Sequence, residues 1–200
     1  GVSAILSVSP SYNKPTQDGI YQHYKIISEC TSLPIILYNV PGRTSLNMTA
    51  ETTLALSSHQ NIVGIKEASS DLGQITTIIS ESSGTDFRVW SGNDDETFSI
   101  MALGGFGVVS VASNIVGVQI KRMIGSILEG NIESAADQHK ELLPLFQGLF
   151  WITNPILIKR ALNLSGFEVG GLRLPMKDSD ELNRDFSELL SRYDIDVTSV

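Results

Sequence analysis

Five short apolar runs, each followed by a stretch of helical spacing, leave this chain very few folds to choose from. The runs are Ala4-Ile5-Leu6-Ser7-Val8, Pro34-Ile35-Ile36-Leu37-Tyr38, Ile62-Val63-Gly64-Ile65, Phe87-Arg88-Val89-Trp90 and Gly107-Val108-Val109-Ser110-Val111. Most are almost continuously apolar, the pattern of parallel strands covered on both faces. Between them, Ile20, Tyr24 and Ile27 share one helical face, as do Leu72, Ile75 and Ile79 behind Asp71. Thr49 with Glu51, and Asp94-Asp95, mark two more helix starts. Strand–helix alternation of this kind predicts an α/β fold with right-handed crossovers.

Beyond Ile120 the strand-like runs stop. Ile132, Ala136, His139, Leu143, Phe146 and Phe150 trace a helical stripe, with a kink expected at Pro144. Asn154-Pro155 predicts a cap with Pro at the first helical position, opening a helix that runs to Leu164. Asp178 with Glu181 resembles a capping box ahead of Leu182, Phe186 and Leu189. The expected division is residues 1–130 as a parallel βα body and 131–200 as a C-terminal helical segment packed on it.

Composition removes several classes of function. With 42% hydrophobic and 18% charged residues, the 200-residue chain can bury a core and is not disordered. A net charge of −8 with no Lys/Arg cluster speaks against a nucleic-acid partner. The single cysteine, Cys30, can form neither an internal disulfide nor half of a CxxC pair, so a reducing, cytoplasmic setting is expected. No run approaches the roughly 18 apolar residues of a membrane helix, and no membrane association is expected. Asp94, Asp95 and Glu96 have no His or further carboxylate at a useful spacing, so no metal is expected.

Parallel strands admit an open doubly wound sheet or part of a (β/α)8 barrel, and both place function at the carboxyl ends of the strands. Lys66 stands there, in Gly64-Ile65-Lys66-Glu67-Ala68. Burial behind an apolar strand favours a neutral amine, the form that attacks a carbonyl to make an imine. The bland alternative is a lysine that snorkels out to water. Tyr38 caps another run in Tyr38-Asn39-Val40-Pro41-Gly42-Arg43-Thr44, where a phenol can relay protons and Arg43 can clamp a carboxylate. A packed tyrosine and a solvated arginine are the competing explanation. Tyr12 lies in the Pro-flanked loop Ser9–Pro15, and Gly92 opens Ser91-Gly92-Asn93-Asp94. Gly104-Gly105-Phe106-Gly107 precedes a strand, whereas a phosphate loop follows one, so it reads as a helix-to-strand turn.

Together these segments resemble the dihydrodipicolinate synthase family, within the pyruvate-dependent class I aldolases that include N-acetylneuraminate lyase. Gly104–Ser110, Asn154-Pro155 and Leu172-Arg173-Leu174-Pro175 complete the match. The resemblance implies a partial TIM (β/α)8 barrel of five parallel strands followed by a C-terminal helical segment, and a homo-oligomer, dimer or tetramer. It implies a Schiff-base carbon–carbon lyase that condenses pyruvate with aspartate semialdehyde on the route to diaminopimelate and lysine. Lys66 would form the imine, Tyr38 would relay protons, and Tyr12 would be lent across a dimer interface. Arg43 would hold the aldehyde's carboxylate, and Gly92 and Val109 would line the pyruvate pocket. The covalent imine would take the place of a cofactor.

The match opens at the family's fourth strand. The first three βα units, with the threonine-bearing segment that links the two tyrosines, fall outside it, so a truncated form with impaired activity is expected. Open sheet edges should also drive self-association. Two other readings share these residues. One is a sugar-acid aldolase of the N-acetylneuraminate lyase type, against which Arg43 argues. The other is a non-catalytic, self-associating fragment.

Overall fold

The computed structural model describes residues 1–178 and 180–197, and side chains for all of these except 180–183. The side chains of Glu181 and Leu182 therefore lie outside the described ones, and with them the capping contact expected between Asp178 and Glu181. The chain forms two compact units, Gly1–Val109 and the residues from Ser110 onward.

In the first unit the elements alternate as the apolar runs predict. Strand β1 (Ile5–Val8) leads to α1 (Gln17–Glu29), β2 (Ile35–Asn39), the short α2 (Pro41–Thr44), α3 (Ala50–Leu56), β3 (Ile62–Glu67) and α4 (Leu72–Glu81). Strand β4 (Arg88–Ser91) follows, then a 3-10 turn over Asp94–Glu96, α5 (Thr97–Ala102) and β5 (Gly107–Val108). The five strands pair in parallel in the order β1-β2-β3-β4-β5. A doubly wound sheet reverses its strand order at a switch point. Uninterrupted sequence order is the arrangement of a (β/α) barrel wall.

Two side-chain caps start helices where the sequence places them: Thr49 accepts from the Thr52 N–H (3.3 Å) and Asp71 from the Gln74 N–H (2.9 Å). Thr16 adds a third, accepting from the Gly19 N–H (3.2 Å), whereas Asp94-Asp95 opens the 3-10 turn and α5 begins at Thr97 without a side-chain cap. Ile20, Tyr24, Leu56, Ile75, Ile78 and Ile100 then bury on the strand residues Ile35, Leu37, Ile62, Ile65 and Val89. Each such side chain contributes about 1.5–3 kcal/mol. Leu72, expected on this face, is 43% exposed, and Ile78 is buried on it. The α4 stripe starts at its second turn because Asp71 and Leu72 form the solvated helix entrance. Strand β5 is shorter than its apolar run, and Val109 lies just past its end.

The second unit holds α6 (Ser113–Leu128), α7 (Ile132–Gly148), α8 (Ile156–Leu164) and α9 (Asp180–Leu190). Three local expectations change here. Helix α7 runs on through Pro144, and the break in helical backbone falls in α6, at Val116 (φ −136°, ψ 40°). The buried face of α7 is Ala135, Leu142, Leu145 and Phe146, whereas Ile132 and Phe150 are 46% exposed. Apolar residues occupy two adjacent stripes of this helix, and packing selects the one that includes Gly148. A Cβ at Gly148 would stand 2.3 Å from Leu189 Cδ2, so the α7–α9 approach requires the missing side chain. Finally, Pro155 is the N-cap of α8, one position before the first helical residue. Among the described residues, no helix is long and apolar enough to cross a membrane.

Candidate active site

Tyr38 and Lys66 end neighbouring strands and are direct partners in the β2–β3 register. Residues in register across a parallel pair share a face, because side chains alternate along each strand. Lys66 Nζ accordingly stands 4.2 Å from the centroid of the Tyr38 ring. On its other flank Lys66 is in register with Trp90 of β4. The Trp90 ring closes over Gly64, where a Cβ would come within 2.5 Å of Trp90 Cζ3 and 2.2 Å of the Arg88 carbonyl oxygen. Gly64 thus makes room for an aromatic wall beside Lys66.

Partial burial favours the neutral forms of both groups. It holds the Lys66 ammonium below the usual lysine value, chiefly by desolvation; the Asp94 charge opposes this and the Arg43 charge reinforces it. Desolvation raises the Tyr38 phenol, with Arg43 partly offsetting it. Among the described residues, no protein hydrogen bond engages the Tyr38 hydroxyl, which leaves the phenol open to a ligand.

Arg43 lies on α2, immediately after β2, and its side chain is exposed. Its electrostatic reach to both Tyr38 and Lys66 puts it at the rim of the same site. Gly92 borders the lysine from below: a Cβ there would meet Lys66 Cε at 3.1 Å and Ala68 Cβ at 2.7 Å. The Val109 N–H donates to the Ser91 carbonyl (2.9 Å), tying the end of β5 to the same rim. Tyr12 is different. It is 93% exposed, holds a left-handed backbone (φ 67°), and shares no hydrogen bond or ring contact with Tyr38 or Lys66 among the described residues.

Three features here go beyond the sequence reading. Asp94, read from sequence as part of a helix entrance, is only 3% exposed, and its charge acts on Lys66, whereas Asp95 is exposed. Trp90 carries no motif, and only its strand register places it at the site. Asn39 and Glu67 each follow a site residue, and both are fully buried on the opposite face of the sheet. An acidic residue ending an apolar run was the available signal for Glu67.

A sequence-ordered parallel sheet with a half-buried lysine at the carboxyl end of one strand defines a partial TIM (β/α)8 barrel with its polar cluster on the catalytic rim of that fold. The sequence model of the Dihydrodipicolinate synthetase family matches residues 1–192, and the chain belongs to that family. It is 54% identical over 198 residues to the 4-hydroxy-tetrahydrodipicolinate synthase of Dehalococcoides mccartyi (strain ATCC BAA-2266), covering 98% of this chain and 66% of that protein. Against 4-hydroxy-tetrahydrodipicolinate synthase 1 of Halalkalibacterium halodurans the identity is 53%, over 88% of this chain and 59% of the relative. The crystal structure of dihydrodipicolinate synthase from Thermotoga maritima superposes with a TM-score of 0.93 at 45% identity, covering 96% of this chain and 66% of that one. A monomeric dihydrodipicolinate synthase variant superposes with a TM-score of 0.91 at 45% identity, over 96% and 65%. The chain spans 66% of the length of the first of these relatives.

Proposed function

We propose that this chain carries the imine-forming centre of a 4-hydroxy-tetrahydrodipicolinate synthase, a Schiff-base lyase joining pyruvate to aspartate semialdehyde. The observation that carries the reading is the placement of Lys66 Nζ over the Tyr38 ring, at the carboxyl end of β3, with its ammonium destabilised by burial. The neutral Lys66 amine attacks the keto carbon of pyruvate, and loss of water leaves a protonated imine. Removal of a methyl proton then gives the enamine, whose carbon bonds to the aldehyde carbon. The protonated imine is itself the electron sink, so the step needs no external cofactor. Tyr38, kept as a neutral phenol, is placed to shuttle these protons.

Arg43 supplies the charge for the aldehyde's carboxylate, and its guanidinium also favours the neutral amine of Lys66. Gly92 and Val109 form the backbone margin of the pyruvate pocket. Tyr12, exposed on a strained loop, is a residue offered to a second subunit, and the chain works as a homo-oligomer.

Condensation is followed as loss of the pyruvate methyl signal in NMR spectra after addition of aspartate semialdehyde. The reading predicts impaired but detectable turnover by the chain and none by Lys66→Arg. Arg43→Ala should retain imine formation but use the acidic aldehyde about 10–100-fold less well, since a charge-assisted bond is worth about 1.5–3 kcal/mol. Turnover unaffected by Lys66→Arg would overturn the assignment.

A further inference from the structure

The strand alternation that puts Tyr38 and Lys66 on one face puts Asn39 and Glu67 on the other, and these two are also register partners. Behind the ring–lysine contact, Asn39 Nδ2 donates to Glu67 Oε1 at 3.0 Å, with both residues fully buried. A cross-strand clamp thus sits directly behind the pair at the site.

The clamp has a defined polarity. The Met48 N–H donates to Asn39 Oδ1 (3.0 Å), which fixes the amide and points its NH2 at Glu67. The Ser69 backbone N–H, which cannot reverse, donates to the same Glu67 oxygen at 3.1 Å. Gln74 Nε2, from α4, donates to Oε2 at 2.9 Å, while Gln74 Oε1 accepts from Asn47 at 2.8 Å. Every group facing Glu67 is a donor, so the site is built for a side chain that only accepts. Burial holds the Glu67 carboxyl above its usual value, and the donors from Gln74, Asn39 and Ser69 offset that rise only in part. Nothing in the imine chemistry uses this carboxylate, yet it joins β2, β3, the loop before α3 and α4 at the level of the site.

We propose that Glu67 is a positioning residue, whose carboxylate, held by Asn39, Ser69 and Gln74, locks the ends of β2 and β3 in the alignment that sets Lys66 over the Tyr38 ring. Glu67→Gln has nearly the same shape but brings a second donor against Gln74. The fixed donors of Asn39 and Ser69 claim the introduced carbonyl, so the introduced NH2 meets Gln74 Nε2. The double variant Glu67→Gln/Gln74→Glu restores an acceptor opposite that NH2 and keeps one carboxylate in the network, while giving up the longer donations of Gln74 Nε2 to the Met48 carbonyl (3.2 Å) and Asn47 Oδ1 (3.3 Å).

The direct readout is the NMR shift of the Lys66 ε-methylene protons, assigned by comparison with Lys66→Arg. A cation over a ring face is shielded, so these protons should lie upfield of the other lysines in the unmutated chain. Glu67→Gln should lose that displacement while keeping its far-UV circular dichroism, and the double variant should regain part of it. Borohydride trapping of pyruvate on Lys66 should fall about 10–100-fold in the single variant, the usual consequence of an ångström-scale misplacement. This second readout rests on the imine reading; the shift needs no substrate, so it tests the proposal even if no pyruvate adduct forms. If Glu67→Gln does not fold, Gln74→Ala, at a partly exposed helix position, should lose part of the displacement. Full upfield displacement in a folded Glu67→Gln chain, or in Gln74→Ala where that chain does not fold, would overturn the proposal.

Discussion

The two faces of the sheet at the ends of β2, β3 and β4 carry the same number of residues and opposite kinds of chemistry. One face presents Tyr38, Lys66 and Trp90, all half-buried. The other presents Asn39, Glu67 and Ser91, all at 0% exposure. On the buried face every polar group is satisfied: Glu67 has three donors, Asn39 is held at both ends, and Ser91 Oγ donates to the Asn93 carbonyl at 2.6 Å. On the open face Lys66 has an aromatic ring and the Tyr38 hydroxyl has no protein partner among the described residues. Buried polar groups must be paired to be tolerated, whereas reactive groups must be left able to bind substrate. Strand alternation lets adjacent residues meet these opposite demands.

Glu67→Ala tests the buried face most severely. It strands three donors without their acceptor, and a loss of about 3–5 kcal/mol in urea-derived stability is expected. A change under about 1 kcal/mol would mean that water replaces the carboxylate and the face is less closed than described.

A smaller effect comes from beneath the same sheet. Tyr24 is fully buried, and its hydroxyl donates to the Ser7 carbonyl at 2.8 Å. Burial pushes its pKa from 10.0 up to about 12. The folded chain therefore keeps this proton after the unfolded chain has released it. The stabilisation is complete below pH 10 and is lost as pH rises from 10 towards 12, by about 2–3 kcal/mol in all. Tyr24→Phe should flatten that part of the stability–pH curve; an equally steep decline in the variant would assign it to other groups.

Tyr38→Phe marks the small end of the scale. Without a protein hydrogen bond to lose, the variant should match the parent stability within about 0.5 kcal/mol. Proton relay should suffer all the same. A large stability loss would show that Tyr38 belongs with the structural face.

The sequence carried the alternation of elements, the helix caps at Thr49 and Asp71, and the nomination of Lys66, Tyr38 and Arg43. These depend on local periodicity and on residue types that seldom end apolar strands without a reason. Relative strand register was not legible, and register alone brings Trp90 beside Lys66 and Asn39 opposite Glu67. Asp94 was missed because an acidic residue at a helix entrance already has a sufficient local explanation; its burial is a tertiary fact. The α7 stripe slipped by one residue for a related reason. Two apolar stripes were available on that helix, and the close approach at Gly148 selects between them.

Adduct mapping tests most directly whether Lys66 is the group that captures pyruvate. The folded chain is incubated with pyruvate, reduced with borohydride, digested and analysed by peptide mass spectrometry. The predicted result is a single reduced pyruvate adduct on Lys66, absent from Lys66→Arg, with a yield that reaches its plateau below the usual lysine pKa because burial favours the neutral amine. An adduct on a different lysine, or no adduct from a chain shown to be folded, would contradict the account.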